Sequence, residues 1–157
     1  MYYTKNDELM HYGILGMKWG VRRYQNPDGT LTAAGKKRYN VQQNAVKFGR
    51  NSAKAYAEDA ESDRKKAREY SKRSDEVVKY DVYTIGVGKN AKTVKTPVYG
   101  RDLANYYSQS AEANDMMAEN WNNRADAWMS IPIDQLKGSK WREIKRKGAQ
   151  FVKYYSK

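Results

Sequence analysis

From about Ala33 to Val78, small and tyrosyl residues recur at alternating intervals of four and three. Val41, Ala45, Phe48 and Ser52 begin the run, and Tyr56, Ala60, Asp63, Ala67, Tyr70, Ser74 and Val77 continue it. That spacing stacks side chains on one stripe of a helix, so one long helix is expected here. Its seam is weaker than a leucine zipper, and the helix therefore needs a neighbour. Small seam residues let that neighbour approach closely. Thr32 is the natural N-cap, and Gly49 is a candidate kink. Glu61–Lys65 and Glu69–Arg73 stand in the favourable i,i+4 order, worth a few tenths of a kcal/mol each.

A second run supplies the neighbour. Tyr107, Ser110, Asn114, Met117, Trp121, Arg124 and Trp128 repeat at three and four between about Arg101 and Met129. Leu103, Ala111, Ala113 and Ala125 flank this stripe, whose large residues are expected to fill the small seam of the first helix. Between the helices, Val82–Val87 and Thr93–Tyr99 are β-prone and predict a β-hairpin or long loop. Pro97 confines its strand to an edge, and Lys89, Lys92 and Lys95 are placed at a basic tip. Ser130-Ile131-Pro132-Ile133 ends the second helix. Ser139 then caps a third helix over 140–155. Trp141, Ile144, Gly148, Phe151 and Tyr155 mark its apolar side.

The expected fold is mainly α: an antiparallel helical hairpin with a short β-hairpin insert, an N-terminal knuckle and a C-terminal basic helix. The segments are 1–32, 33–136 with the 82–99 insert, and 137–157. A short helix over 4–10 precedes the knuckle. Two Phe stand against 14 Tyr and four Trp, and mean hydropathy is −1.03. Any core is therefore thin, and oligomerisation or a bound partner would help it.

The knuckle is the densest local pattern. Gly13, Gly16 and Gly20 allow close backbone approach, Trp19 and Tyr24 give rigid amphipathic surface, and Arg22 and Arg23 give planar donors. Asn26-Pro27-Asp28-Gly29 is a turn by its own chemistry. His11, Gly13, Gly16, Trp19, Arg22, Arg23 and Tyr24 are the candidate protein-docking residues. A structural cap with Trp19 buried is the competing reading.

The run His11-x-Gly13-x-x-Gly16-Met17-Lys18-Trp19-Gly20-x-Arg22-Arg23-Tyr24-Gln25-Asn26-x-Asp28-Gly29-x-Leu31-Thr32-x-Ala34-Gly35 resembles an element of tailed-phage and prophage proteins of Gram-positive gut bacteria. Such proteins are typically encoded near the head genes and include minor head and head-morphogenesis proteins. The likeness spans about His11 to Tyr39, under a fifth of the chain. It implies a phage origin and a host bacterial cytoplasm, or a virion assembled there.

Net charge is +12 and uneven. Residues 1–38 carry seven Lys/Arg against three acids, and 137–157 carry eight against one; 81–136 carry five against seven. Such polarity suits nucleic acid, anionic lipid or an acidic protein surface. Lys36, Lys37, Arg38, Lys140, Arg142, Lys145, Arg146, Lys147 and Lys153 are the candidate nucleic-acid contacts. The two clusters form one surface only if distant segments meet.

Enzyme classes fare poorly. The chain has no Cys and a single His, which rules out thiolate nucleophiles, Cys-based zinc and multi-histidine metal sites. Gly86-Val87-Gly88-Lys89 lacks the phosphate-loop spacing, and Asp59, Glu61 and Asp63 fall on different helix faces. No cofactor is expected. Neither a secretory leader nor an apolar run long enough to span a membrane is evident. The reading is a non-enzymatic phage protein of the virion or head-assembly pathway, binding a phage structural protein and nucleic acid. The alternative is a phage inhibitor of a host defence nuclease, of the anti-CRISPR type. A membrane-surface role ranks third.

Overall fold

The structure, a computed structural model, describes residues 23–155. The elements run α1 (Ala33–Ser71), β1 (Val77–Ile85), β2 (Lys92–Tyr99), α2 (Gly100–Met129) and α3 (Gly138–Tyr155). One-turn helices at Gly88–Asn90 and Ile133–Gln135 sit in the connections. The fold is mainly α, with an antiparallel two-stranded β-hairpin between the first two helices. The expected 4–10 helix lies outside the described residues. The chain forms two compact units: one runs up to Phe48 and resumes at Asp126, and the other is Gly49–Ala125.

In the Gly49–Ala125 unit, α1 and α2 pack antiparallel through alanine. Ala53, Ala60 and Ala67 are buried on α1, and Ala104, Ala111, Ala118 and Ala125 on α2, each series at intervals of seven. Flanking side chains tie the pair. The Tyr70 and Tyr107 rings stack at 5.7 Å, and Arg64 donates to Asp115 at 2.6 Å. The small seam of α1 is as expected. The large stripe expected to fill it is not its counterpart: Met117 is exposed, while Tyr107, Asn114 and Trp121 sit at the flank of the alanine line. Methyl groups on both helices bring the backbones too close for a ring between them.

Asp63 is the polar member of this seam. Its carboxylate accepts from Ser110 Oγ at 2.6 Å and from Lys66 Nζ at 3.2 Å, with Asn114 Nδ2 at 3.4 Å. The Ser110 hydroxyl, and then Lys66, hold this carboxyl below its ordinary range, although desolvation opposes them. A lowered folded pKa adds stability that is complete above the unfolded value, about 3.9, and is lost as pH falls through the folded one. Asp63→Asn is therefore expected to cost about 1–2 kcal/mol at pH 7 and far less at pH 3. Urea melts at the two pH values check this; an equal cost at both would refute it.

α1 ends at Ser71, not near 78. Gly100 N donates to Glu76 O at 3.0 Å and Arg101 N to Ser74 O at 3.0 Å, so the start of α2 takes the backbone carbonyls that follow the helix. The β-branched Val77 enters the ladder opposite Tyr99. The strand thus begins five residues before the expected 82. Pro97 pairs with Tyr80 on an edge strand, as its missing N–H requires. Lys92 and Lys95 stand three apart on β2 and so fall on opposite faces, which separates the expected basic tip. Helical structure is continuous through Gly49.

In the other unit Leu136, Ile144 and Ala45 are fully buried, with Val46 and Trp128 beside them in the core. Buried Gln42 donates its Nε2 to Trp128 O at 2.6 Å and Ile131 O at 2.9 Å. These carbonyls lie where α2 ends and have no intrahelical donor of their own. One amide thus closes the helix end that Pro132 forces.

Candidate nucleic-acid interface

The first described residues form a tight ribbon. Gln25 and Leu31 bridge antiparallel across the Asn26–Thr30 turn. Asn26 N donates to Thr30 O at 2.7 Å and Gly29 N to Asn26 O at 3.0 Å. Asp28 Oδ1 accepts from both the amide and the hydroxyl of Thr30, which lowers its pKa. The ribbon is the turn its sequence specifies. Thr32 joins it to α1: its hydroxyl donates to Arg23 O at 2.9 Å and accepts the Gly35 amide at 3.1 Å. The expected N-cap is therefore also a clasp. Gly35 completes the join, because a Cβ there would collide with the Tyr24 carbonyl.

The ribbon sets Tyr24 against the start of α1. The Arg38 guanidinium lies 4.5 Å from the Tyr24 ring and 4.4 Å from the Trp141 ring. Its Nε is buried without a hydrogen-bond partner, so the aromatic faces are its environment. One cation thus joins the ribbon, α1 and α3. The segments around 24–38 and 141–153 do meet, as a shared basic surface requires.

The structure sorts the candidate cations. Arg38 is half-buried between two rings, with its Nε turned away from solvent. Lys147 is half-buried with Nζ 4.8 Å from the Phe48 ring, and serves the α1–α3 contact. Lys153 is exposed beside Tyr154, at 5.3 Å. Lys36, Lys37, Lys140, Arg142, Lys145 and Arg146 are exposed. Trp141, Ile144, Lys147, Gly148 and Phe151 turn inward on α3, which leaves Arg142, Lys145 and Arg146 on its solvent face.

Ion pairs from Lys54–Glu58 to Arg101–Asp75 lie within Gly49–Ala125. That unit holds 14 Lys/Arg against 12 acids. Residues 23–48 and 126–155 hold 12 against four. Among the described residues, no ion pair involves Lys36, Lys37, Lys140, Arg142, Lys145 or Arg146. Cations left without carboxylates at the start of α1 and along α3 are free to displace the counterions of a polyanion.

Of the docking candidates, His11, Gly13, Gly16, Trp19 and Arg22 lie outside the described residues. Arg23 is exposed, with its guanidinium 5.4 Å from the Tyr24 ring. Tyr24 is half-buried in the Arg38 stack. Beside it opens a cavity of about 350 Å³, lined by Tyr24, Gln25, Leu31, Tyr39, Pro132, Ile133 and Asp134. Sequence reasoning missed this cavity, because its walls come from segments a hundred residues apart. Among the described residues no cluster of His, Asp and Glu is placed to hold a metal.

Residues 4–26 match a family of unknown function (DUF7211). The match overlaps the Gly/Trp/Arg segment and ends inside the ribbon. No curated protein and no solved structure matches the chain.

Proposed function

We propose that this chain is a non-enzymatic bacteriophage protein of the virion or head-assembly pathway that grips nucleic acid through the solvent face of α3. The observation that carries the nucleic-acid part is the set of exposed, unpaired cations on that face, with Lys36 and Lys37 of α1 in the same unit. Arg142 and Arg146 present planar forks to phosphate, and Lys140 and Lys145 add point charge. In this reading the contacts are to phosphate, so binding follows backbone charge and not base sequence. The phage assignment rests on the likeness of the His11–Tyr39 segment to proteins encoded near head genes. In this reading the ribbon and the segment before it dock a phage structural protein, while α3 meets nucleic acid.

A salt titration of the purified chain against duplex DNA, single-stranded DNA and structured RNA tests the proposal. With four to six phosphate contacts, log affinity for duplex falls with log salt at a slope of about −4 to −5. No binding at low salt overturns the nucleic-acid part. Marked preference for structured RNA shifts the reading to an inhibitor of an RNA-guided host defence. Absence of the protein from purified particles overturns virion membership.

A further inference from the structure

The β-hairpin is a two-stranded sheet with both faces largely in solvent. Tyr80, Val82 and Ile85 are 58%, 57% and 60% exposed. Two strands alone are marginal in water, and strands of nine and eight residues leave long unpaired edges. The two edges are not alike. β2 carries Lys92, Lys95 and Pro97, devices that discourage a further strand. β1 has no Pro or Gly. Its only charges, Lys79 and Asp81, cancel at 2.9 Å, and Val82-Tyr83-Thr84-Ile85 is uncharged and strongly β-prone.

We propose that the β1 edge pairs antiparallel with β1 of a second copy of this chain, about a two-fold axis at Tyr80. A two-fold perpendicular to a sheet must pass through a residue position, because paired residues share a face. Among such registers, only the one centred on Tyr80 sets Lys79 opposite Asp81 of the second copy, and Asp81 opposite its Lys79. The same register brings the apolar Val77 and Val78 of one copy, where β1 carries a bulge, toward Val82 and Tyr83 of the other. Opposite charges and apolar pairs facing across strands are the stabilising unit of a sheet. Registers centred on Val82 or Tyr83 face these charges with apolar or aromatic residues. The resulting four-stranded sheet carries β2 on both outer edges. Their lysines and prolines stop further addition, so the assembly closes at two. This inference is independent of the nucleic-acid reading and concerns the other unit.

The test uses the full chain without nucleic acid. Sedimentation is expected to show a species of twice 18.2 kDa. The chain has no Cys, so Tyr80→Cys introduces a lone thiol at the axis, and mild oxidation is expected to link two chains through it. Asp81→Lys sets lysines opposite each other and is expected to weaken the dimer about tenfold, while Lys79→Asp with Asp81→Lys restores it. A monomer at about 100 μM overturns the proposal. So does a dimer that Asp81→Lys leaves intact and Tyr80→Cys does not link. Should Asp81→Lys fail to fold, the Tyr80→Cys linkage decides alone.

Discussion

Changing Arg142, Lys145 and Arg146 together to glutamine is expected to remove about 2.7 from the salt slope of duplex binding, at about 0.9 per phosphate contact. Between 50 and 200 mM salt, the affinity of the unaltered chain should then fall about 40-fold more than that of the triple variant. The three side chains lie on the solvent face of α3, and glutamine keeps a good helix propensity, so the fold should not change. Lys54 and Lys65 provide the control. They are as exposed but face Glu58 and Glu61 at 3.7 and 3.0 Å, and changing them to glutamine should leave the slope unaltered. Lys147→Gln separates charge from packing: its cation sits over Phe48, so its loss should lower stability more than the slope. Fluorescence anisotropy against a labelled duplex over a salt series reads all of these. An unchanged slope in the triple variant would place the phosphate contacts elsewhere.

The periodicity that exposes this face was legible in the sequence, because α3 alternates apolar and basic residues at helical spacing. The long first helix, the hairpin insert and the break at Pro132 were legible for the same local reasons, as were the Asn26–Thr30 turn and the Thr32 cap. The phase of α2 was not. Tyr107, Met117 and Trp121 look like core by size, yet the seam is made by Ala104, Ala111 and Ala118. Bulk attracts attention, but close helix approach selects the smallest side chain, and only the facing helix reveals which rule applies. Gln42 reads as surface until the carbonyls at the end of α2 are seen to need a donor. Arg38 reads as a surface cation until Tyr24 and Trp141 close on it. In each case the deciding partner lies far along the chain.

Gly148 is where that long-range packing can be tested against function. In an exposed helix interior, alanine in place of glycine would gain about 1 kcal/mol. Here the sign should reverse. Gly148 is buried against α1, and a Cβ would stand 2.7 Å from the Val41 carbonyl oxygen and 3.6 Å from the Ala45 amide nitrogen. These are backbone atoms of a helix and yield only if α3 moves away. Overpacking of this kind costs about 1–3 kcal/mol, so Gly148→Ala is expected to lower Tm by about 2–12 °C and Gly148→Leu by more. Displacing α3 also carries Trp141 away from Arg38 and moves Arg142, Lys145 and Arg146 relative to Lys36 and Lys37. Both variants should therefore bind duplex more weakly at fixed salt although no charge is lost, in proportion to the loss of stability. Ala149→Gly, on the exposed side of the same turn, should cost only the helix-propensity difference and leave binding intact. Thermal melts with anisotropy on the three variants decide it. If Gly148→Leu melts lower yet binds as before, α3 acts as an independent basic helix, and its seating on α1 serves stability alone.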